Sequence, residues 1–141
     1  MARRFLLSPR RRLPCNRPPW GTLTAIVAST GEVKWESPLG RLSGTENVAE
    51  ASQWGSISLG GPIVTAGGLV FMAGTLDPAI YAFDVQSGAS LWKGDLPTSA
   101  RSTPMTYRAA NGKQYVVVSA GGHGIAGGAP LGDYLMAFSL P

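Results

Sequence analysis

Short runs of apolar and β-branched residues alternate along the chain with clusters of Gly, Ser, Asn and Pro, and no long segment carries apolar residues at helical spacing. The pattern predicts strands at Thr22–Val27, Glu32–Glu36, Ile63–Thr65, Leu69–Thr75, Ala79–Val85, Ser90–Lys93, Pro104–Arg108, Gln114–Ala120 and Tyr134–Leu140. Several joints have hairpin length: Ser29-Thr30-Gly31, Ala66-Gly67-Gly68, Gln86-Ser87-Gly88 and Ala110-Asn111-Gly112, each with a Gly where a positive φ is expected. The stretch from Gly40 to Gly61 has no strong strand signal and reads as a long surface loop, a feature that in a compact all-β domain is more often functional than accidental.

An internal repeat organises these strands. Ala25–Trp35 (AIVASTGEVKW) and Ala82–Trp92 (AFDVQSGASLW) share an Ala, a Ser/Thr-Gly turn and a terminal Trp, all offset by 57 residues. A third copy begins at Ala137-Phe138-Ser139-Leu140, 55 residues after Ala82, and the sequence ends before its turn and Trp. A strand, a Gly turn and a strand ending in Trp suit the outer hairpin of a four-stranded propeller blade, where the indole wedges against the next blade. Taken singly, Trp35 and Trp92 also fit ordinary core aromatics. The expected fold class is all-β, a partial β-propeller of about two four-stranded antiparallel blades.

Composition narrows the function classes. At 141 residues, with 44% hydrophobic and 14% charged side chains, the chain is one packed unit and not a charged disordered tail. No run of about 18 apolar residues offers a membrane-spanning helix, and a single Cys, Cys15, excludes an internal disulfide framework or a Cys-based zinc cage. The net charge of +4 comes from Arg3, Arg4, Arg10, Arg11, Arg12 and Arg17, which leave six basic and eight acidic side chains, a net of −2, on the remainder. Apart from Phe5 this tract lacks interleaved aromatics, so no nucleic-acid partner is expected. MARRFLL carries the paired arginines of a twin-arginine export signal, but its apolar stretch, Phe5 to Leu7, is too short for the hydrophobic region such a signal needs. Residues 1–12 therefore read as a disordered basic leader.

Candidate chemistry is sparse. Asp77, Asp84 and Asp133 have no metal-ligand spacing, and Asp84 more naturally caps its own turn. Cys15 has no neighbouring Cys or His in sequence. Gly60-Gly61 reads as a turn before the Ile63 strand, and Gly121-Gly122-His123-Gly124 is a glycine-rich loop without the lysine and helix of a phosphate loop.

The frame Ala-x-Asp-x-x-Ser/Thr-Gly-x-x-x-Trp resembles the tryptophan-docking motif of pyrroloquinoline quinone (PQQ) dehydrogenases, whose catalytic domain is an eight-bladed β-propeller. LPCNRPPWGTLTAI (Leu13–Ile26), LGGPIVTAGGLVF (Leu59–Phe71), PMTYRAANGKQYVVVSAGGHG (Pro104–Gly124) and LGDYLMAFSLP (Leu131–Pro141) are similar to the C-terminal part of the membrane-bound glucose, quinate and shikimate dehydrogenases. The resemblance covers residues 13–141, with one departure: Val27 stands where the second copy has Asp84. It implies an enzyme that oxidises a sugar or polyol hydroxyl with PQQ and passes electrons to ubiquinone at the periplasmic face of the bacterial inner membrane. The family's catalytic Asp and Lys, the ligands of its calcium or magnesium, and its membrane helices lie upstream of the matched strings, so an inactive fragment is expected. Its partners would be the missing blades or, failing those, further copies of itself. The resemblance places Leu59, Gly60 and Gly61, with Gly122 and His123, at the cofactor. Noncatalytic propeller-repeat scaffolds of the bacterial envelope share the docking frame and are the alternative, but a scaffold has no need of the 59–61 and GGHG strings.

Overall fold

The computed structural model describes residues 13–42, 44–45, 47–122 and 130–139; the basic leader lies outside them. Nine strands form: β1 Thr22–Ile26, β2 Val33–Pro38, β3 Pro62–Val64, β4 Leu69–Met72, β5 Ala79–Asp84, β6 Ser90–Asp95, β7 Met105–Arg108, β8 Gln114–Ala120 and β9 Tyr134–Phe138. Each expected run is a strand, with ends moved by at most three residues and Gln114–Ala120 unchanged. The largest shift is at β4, which stops at Met72 because Gly74 takes φ +95° and turns the backbone against Gly60. The strands make three antiparallel sheets in chain order, β1-β2, β3-β4-β5-β6 and β7-β8-β9. One complete four-stranded sheet thus lies between a two-stranded and a three-stranded one, in keeping with the expected partial propeller.

The repeat is structural as well as sequential. Ala25 pairs across the ladder with Trp35, and Ala82 with Trp92, and the register slips at a bulge immediately after each Ala. Both turns close with the same backbone bond, Gly31 N–H to Val27 O at 2.7 Å and Gly88 N–H to Asp84 O at 2.9 Å. Only the second has a carboxylate cap. Asp84 Oδ1 accepts from the N–H groups of Gln86 (3.0 Å) and Ser87 (2.7 Å) and from the Ser87 hydroxyl (2.8 Å), the expected Asx arrangement.

Trp35 ties the first sheet to the second. Its indole N–H donates to Val85 O at 3.1 Å, and Ser37 Oγ donates to Gly88 O at 2.6 Å. The ring lies where a Cβ on Gly88 would come within 2.5 Å of it, so only glycine fits that turn. Leu23, Leu39, Val70, Met72 and Phe83 form the core beneath, with Trp35, Tyr81 and Val85 around it. The second sheet meets the third through Ala73, Ile80, Leu96, Ala100, Val116, Val118 and Ala120. Trp92 packs edge-to-face on Phe138, ring centroids 5.3 Å apart.

The 40–61 segment is not the surface loop its polar composition suggests. Leu42, Thr45, Ala51 and Ser56 are buried, and Ala49–Gln53 forms a short 3-10 helix. The cause is Asp77, itself buried, whose carboxylate accepts from the Arg41 N–H at 2.9 Å and from the Tyr81 hydroxyl, drawing Gly40-Arg41 onto β5. Burial first, then the Asp77 charge, pushes the Tyr81 phenol well above its usual range, so it remains a neutral donor.

Two expectations follow. Replacing Trp35 by Ala removes a packed indole and its hydrogen bond and should cost about 3 kcal/mol in urea unfolding; Trp92→Ala, at a site already 39% exposed, should cost clearly less. The Asp84 carboxyl is held below the usual carboxylate range, chiefly by the Ser87 hydroxyl and then by backbone N–H groups. Its folded-state value is depressed, so its contribution is present above the unfolded value and lost as pH falls through the folded one. The Asp84→Ala chain should therefore show a flatter acid dependence of the urea midpoint than the parent.

Candidate functional site

The segment just ahead of β3 is where three stretches of backbone cross. Leu59 N–H donates to Gly74 O at 2.9 Å, while the Leu59 side chain stays 53% exposed. A Cβ on Gly60 would stand 2.7 Å from Ala73 O and 2.9 Å from Ser102 O, and one on Gly74 would stand 2.3 Å from Gly60 N. The glycines are thus required by backbone packing, whatever else they do. The Gly61 N–H donates to Thr103 Oγ1 at 2.9 Å and is therefore engaged within the protein.

Gly122 is buried at the end of β8 with φ +70°, and its N–H donates to Ser99 O at 3.0 Å. A Cβ there would fall 1.8 Å from Pro130 O and 2.4 Å from Thr98 Oγ1. Thr98 Oγ1 donates to Pro130 O at 2.6 Å, and Gly132 N–H to Gly121 O at 3.0 Å. His123 lies outside the described residues.

Both groups of glycines are therefore held by one connection, residues 96–104 between β6 and β7: Thr98 and Ser99 at one end fix Gly122, Ser102 and Thr103 at the other fix Gly60 and Gly61. Sequence reasoning did not single out this connection, because an isolated polar loop gives no signal of what it will touch. Three of its side chains or neighbours are unusual. Ser99 Oγ, Arg101 Nε and Nη1, and Thr75 Oγ1 beside Gly74 are buried with no hydrogen-bond partner. Desolvation lowers the Arg101 guanidinium below its ordinary value. Buried donors without acceptors are uncommon in a folded protein and cost stability.

The chemistry available follows from this set. Hydroxyls and a guanidinium offer hydrogen-bond donors, the exposed Leu59 offers an apolar surface, and the glycines allow close backbone approach. Such a set suits an acceptor-rich, anionic ligand and, among the described residues, includes no general base. Among the described residues no three His, Cys, Asp or Glu side chains come together. Asp133 and Cys15 are exposed, and Asp77 and Asp84 are engaged as described above. A cavity of about 680 Å³ between the second and third sheets, lined by Leu69, Phe71, Leu91, Trp92, Val116 and Phe138 among others, shares no residue with the glycine site.

Comparison with known proteins gives this site a context. Residues 1–116 match the family described as PQQ: glucose/ethanol/alcohol dehydrogenase, beta-propeller domain. The chain is 44% identical over 133 residues to the quinoprotein glucose dehydrogenase of Escherichia coli (strain K12), covering 92% of this chain and 16% of that protein. It is also 44% identical over 134 residues to the quinate/shikimate dehydrogenase (quinone) of Acinetobacter baylyi, covering 91% and 16%. Among solved structures, the quinohemoprotein alcohol dehydrogenase from Comamonas testosteroni superposes with TM-score 0.57 at 25% identity, over 78% of this chain and 14% of that one. A europium-containing methanol dehydrogenase superposes with TM-score 0.54 at 31% identity, over 72% and 15%. The chain thus spans about one sixth of the length of the curated relatives it matches.

The backbone crossing gives a direct test. Gly60→Ala forces a methyl onto two carbonyl oxygens that cannot move independently and should lose about 1–3 kcal/mol in urea unfolding. Gly61→Ala meets a rotatable Thr103 side chain at 2.9 Å and should lose less.

Proposed function

Because the chain belongs to the glucose/ethanol/alcohol dehydrogenase family of PQQ β-propellers, we propose that it is the C-terminal portion of a sugar or polyol dehydrogenase and forms part of the wall of its PQQ site. The observation that carries this reading is the convergence of Leu59-Gly60-Gly61 and Gly122 on one connection that also bears unpartnered donors. Unpartnered Arg, Ser and Thr groups beside a glycine cradle fit a planar polyanion rich in acceptor oxygens.

PQQ, when bound, supplies the hydride-accepting quinone carbon. The residues of this chain position and hold. Leu59 would offer an apolar face to the cofactor, Gly60 and Gly61 let the backbone pack closely enough on Ala73, Ser102 and Thr103 to hold Leu59 in place, and His123, next to Gly122, would supply an imidazole for a cofactor carboxylate. The substrate is a sugar or cyclitol hydroxyl, in keeping with the glucose and quinate named for the relatives, and ubiquinone takes the electrons at the periplasmic face of the inner membrane. Calcium or magnesium and the general base would belong to blades outside residues 13–141; residues 1–12, although within the matched range, are read from their arginines as a basic leader. The Ala-to-Trp frame is the family's docking motif, by which each blade grips the next. A noncatalytic scaffold needs only that frame and leaves the buried donors without a purpose.

On this reading the purified chain, given PQQ and calcium, binds the cofactor weakly and shows no glucose-dependent dye reduction, since the groups that stabilise the transition state are missing. Sustained turnover by the chain alone would overturn the assignment.

A further inference from the structure

Among the described residues, Arg101 is the charged side chain with buried polar atoms that have no hydrogen-bond partner. A guanidinium offers five N–H donors, has no acceptor capacity and keeps its charge at any ordinary pH. Here Nε and Nη1 are buried without an acceptor. Burial, and no neighbouring charge, is what perturbs it. Asp77 holds Arg41 N–H and Tyr81, Asp84 caps its own turn, Asp95 sits 3.9 Å from Lys93, and Glu32 and Glu36 pair with Thr30 and Thr24. Arg101 is half-buried, and burying part of a cation with no acceptor for its N–H groups costs stability that a partner of opposite charge arriving from outside would restore.

Position identifies where that partner sits. Arg101 immediately precedes Ser102, whose carbonyl packs on Gly60, and lies two residues after Ser99, whose carbonyl holds Gly122. It is therefore on the connection that joins the two halves of the candidate site. We propose that Arg101 is the carboxylate-pairing residue of this site, receiving a carboxylate of the bound ligand on its buried N–H groups. The proposal rests on the PQQ-site reading above. The carboxylate could belong to PQQ itself or to an acidic cyclitol substrate of the quinate type, and the chemistry of recognition is the same for both.

The test uses the full 141-residue chain and its Arg101→Met, Arg101→Gln and Leu59→Ala variants. The readouts are thermal unfolding and equilibrium dialysis, with PQQ, with quinate, and with sodium chloride at matched ionic strength. Without ligand, Arg101→Met should unfold at a higher temperature than the parent, because an apolar side chain replaces buried N–H groups that have no acceptor. PQQ should raise the parent's midpoint beyond the salt control and fail to raise that of either Arg101 variant, and its affinity should fall about ten- to a hundredfold in both. If quinate protects the parent through Arg101 and PQQ does not, the carboxylate is the substrate's. PQQ protection that survives in both Arg101 variants but is lost in Leu59→Ala overturns the role of Arg101 and leaves the site reading standing. No protection of the parent by either acid overturns both. Should Arg101→Met fail to fold, Arg101→Gln decides by dialysis: parental PQQ affinity contradicts the proposal.

Discussion

Everything in this fold depends on consecutive sheets stacking face to face, and the Trp35 contact with the next sheet is what sets that stacking. The indole leaves β2 opposite a small residue, Ala25, and bonds Val85 O over a turn that is glycine at position 88. A larger residue at position 88 would hold the sheets apart. Burying most of an indole stabilises by a few kcal/mol, and the Leu23, Leu39, Val70, Met72 and Phe83 core closes only because that spacing is fixed. The same Ala-to-Trp pairing recurs at Ala82 and Trp92, which meets Phe138 of the third sheet.

Close stacking has a consequence ahead of β3 and after β8. There the connecting backbones are forced into contact, with Gly60 between Ala73 O and Ser102 O and Gly122 against Pro130 O. Glycine is needed for this geometry before any ligand is considered. The connection from 96 to 104 then acts as a strut between the two places, and along it the protein leaves Ser99 and Arg101 unpaired. A chain that satisfies its Asp77, Asp84 and Tyr81 groups so fully does not leave a guanidinium unpaired for stability. Donors held in readiness for a ligand are a trade of stability for recognition.

Much of the fold was legible in sequence because it rests on local signals. Alternating β-branched residues and Gly-containing turns marked all nine strands, the 57-residue offset marked the equivalence of the two frames, and the Asp84 cap followed from its place before Ser87. What escaped was long-range. The 40–61 segment looked solvated because its residues are polar, yet Asp77, 36 positions away from Arg41, pulls it inward. Leu59, Gly60, Gly61 and Gly122 were singled out through family resemblance, while the residues that hold them, Thr98 to Thr103, carry no periodicity, motif or composition to announce their role. Nothing in the sequence distinguishes Arg101, and only the burial of its Nε and Nη1 does.

The central claim is that Leu59–Gly61, Gly122 and the 96–104 connection act together as one PQQ-binding surface. Amide hydrogen exchange with and without PQQ tests it most directly, since exchange reports local protection segment by segment. The account predicts slowed exchange in peptides covering 58–62, 96–104 and 120–123 together, with the Trp35 and Trp92 hairpins unchanged. Protection confined to the apolar cavity around Leu69, Phe71 and Trp92, or none anywhere, would contradict it.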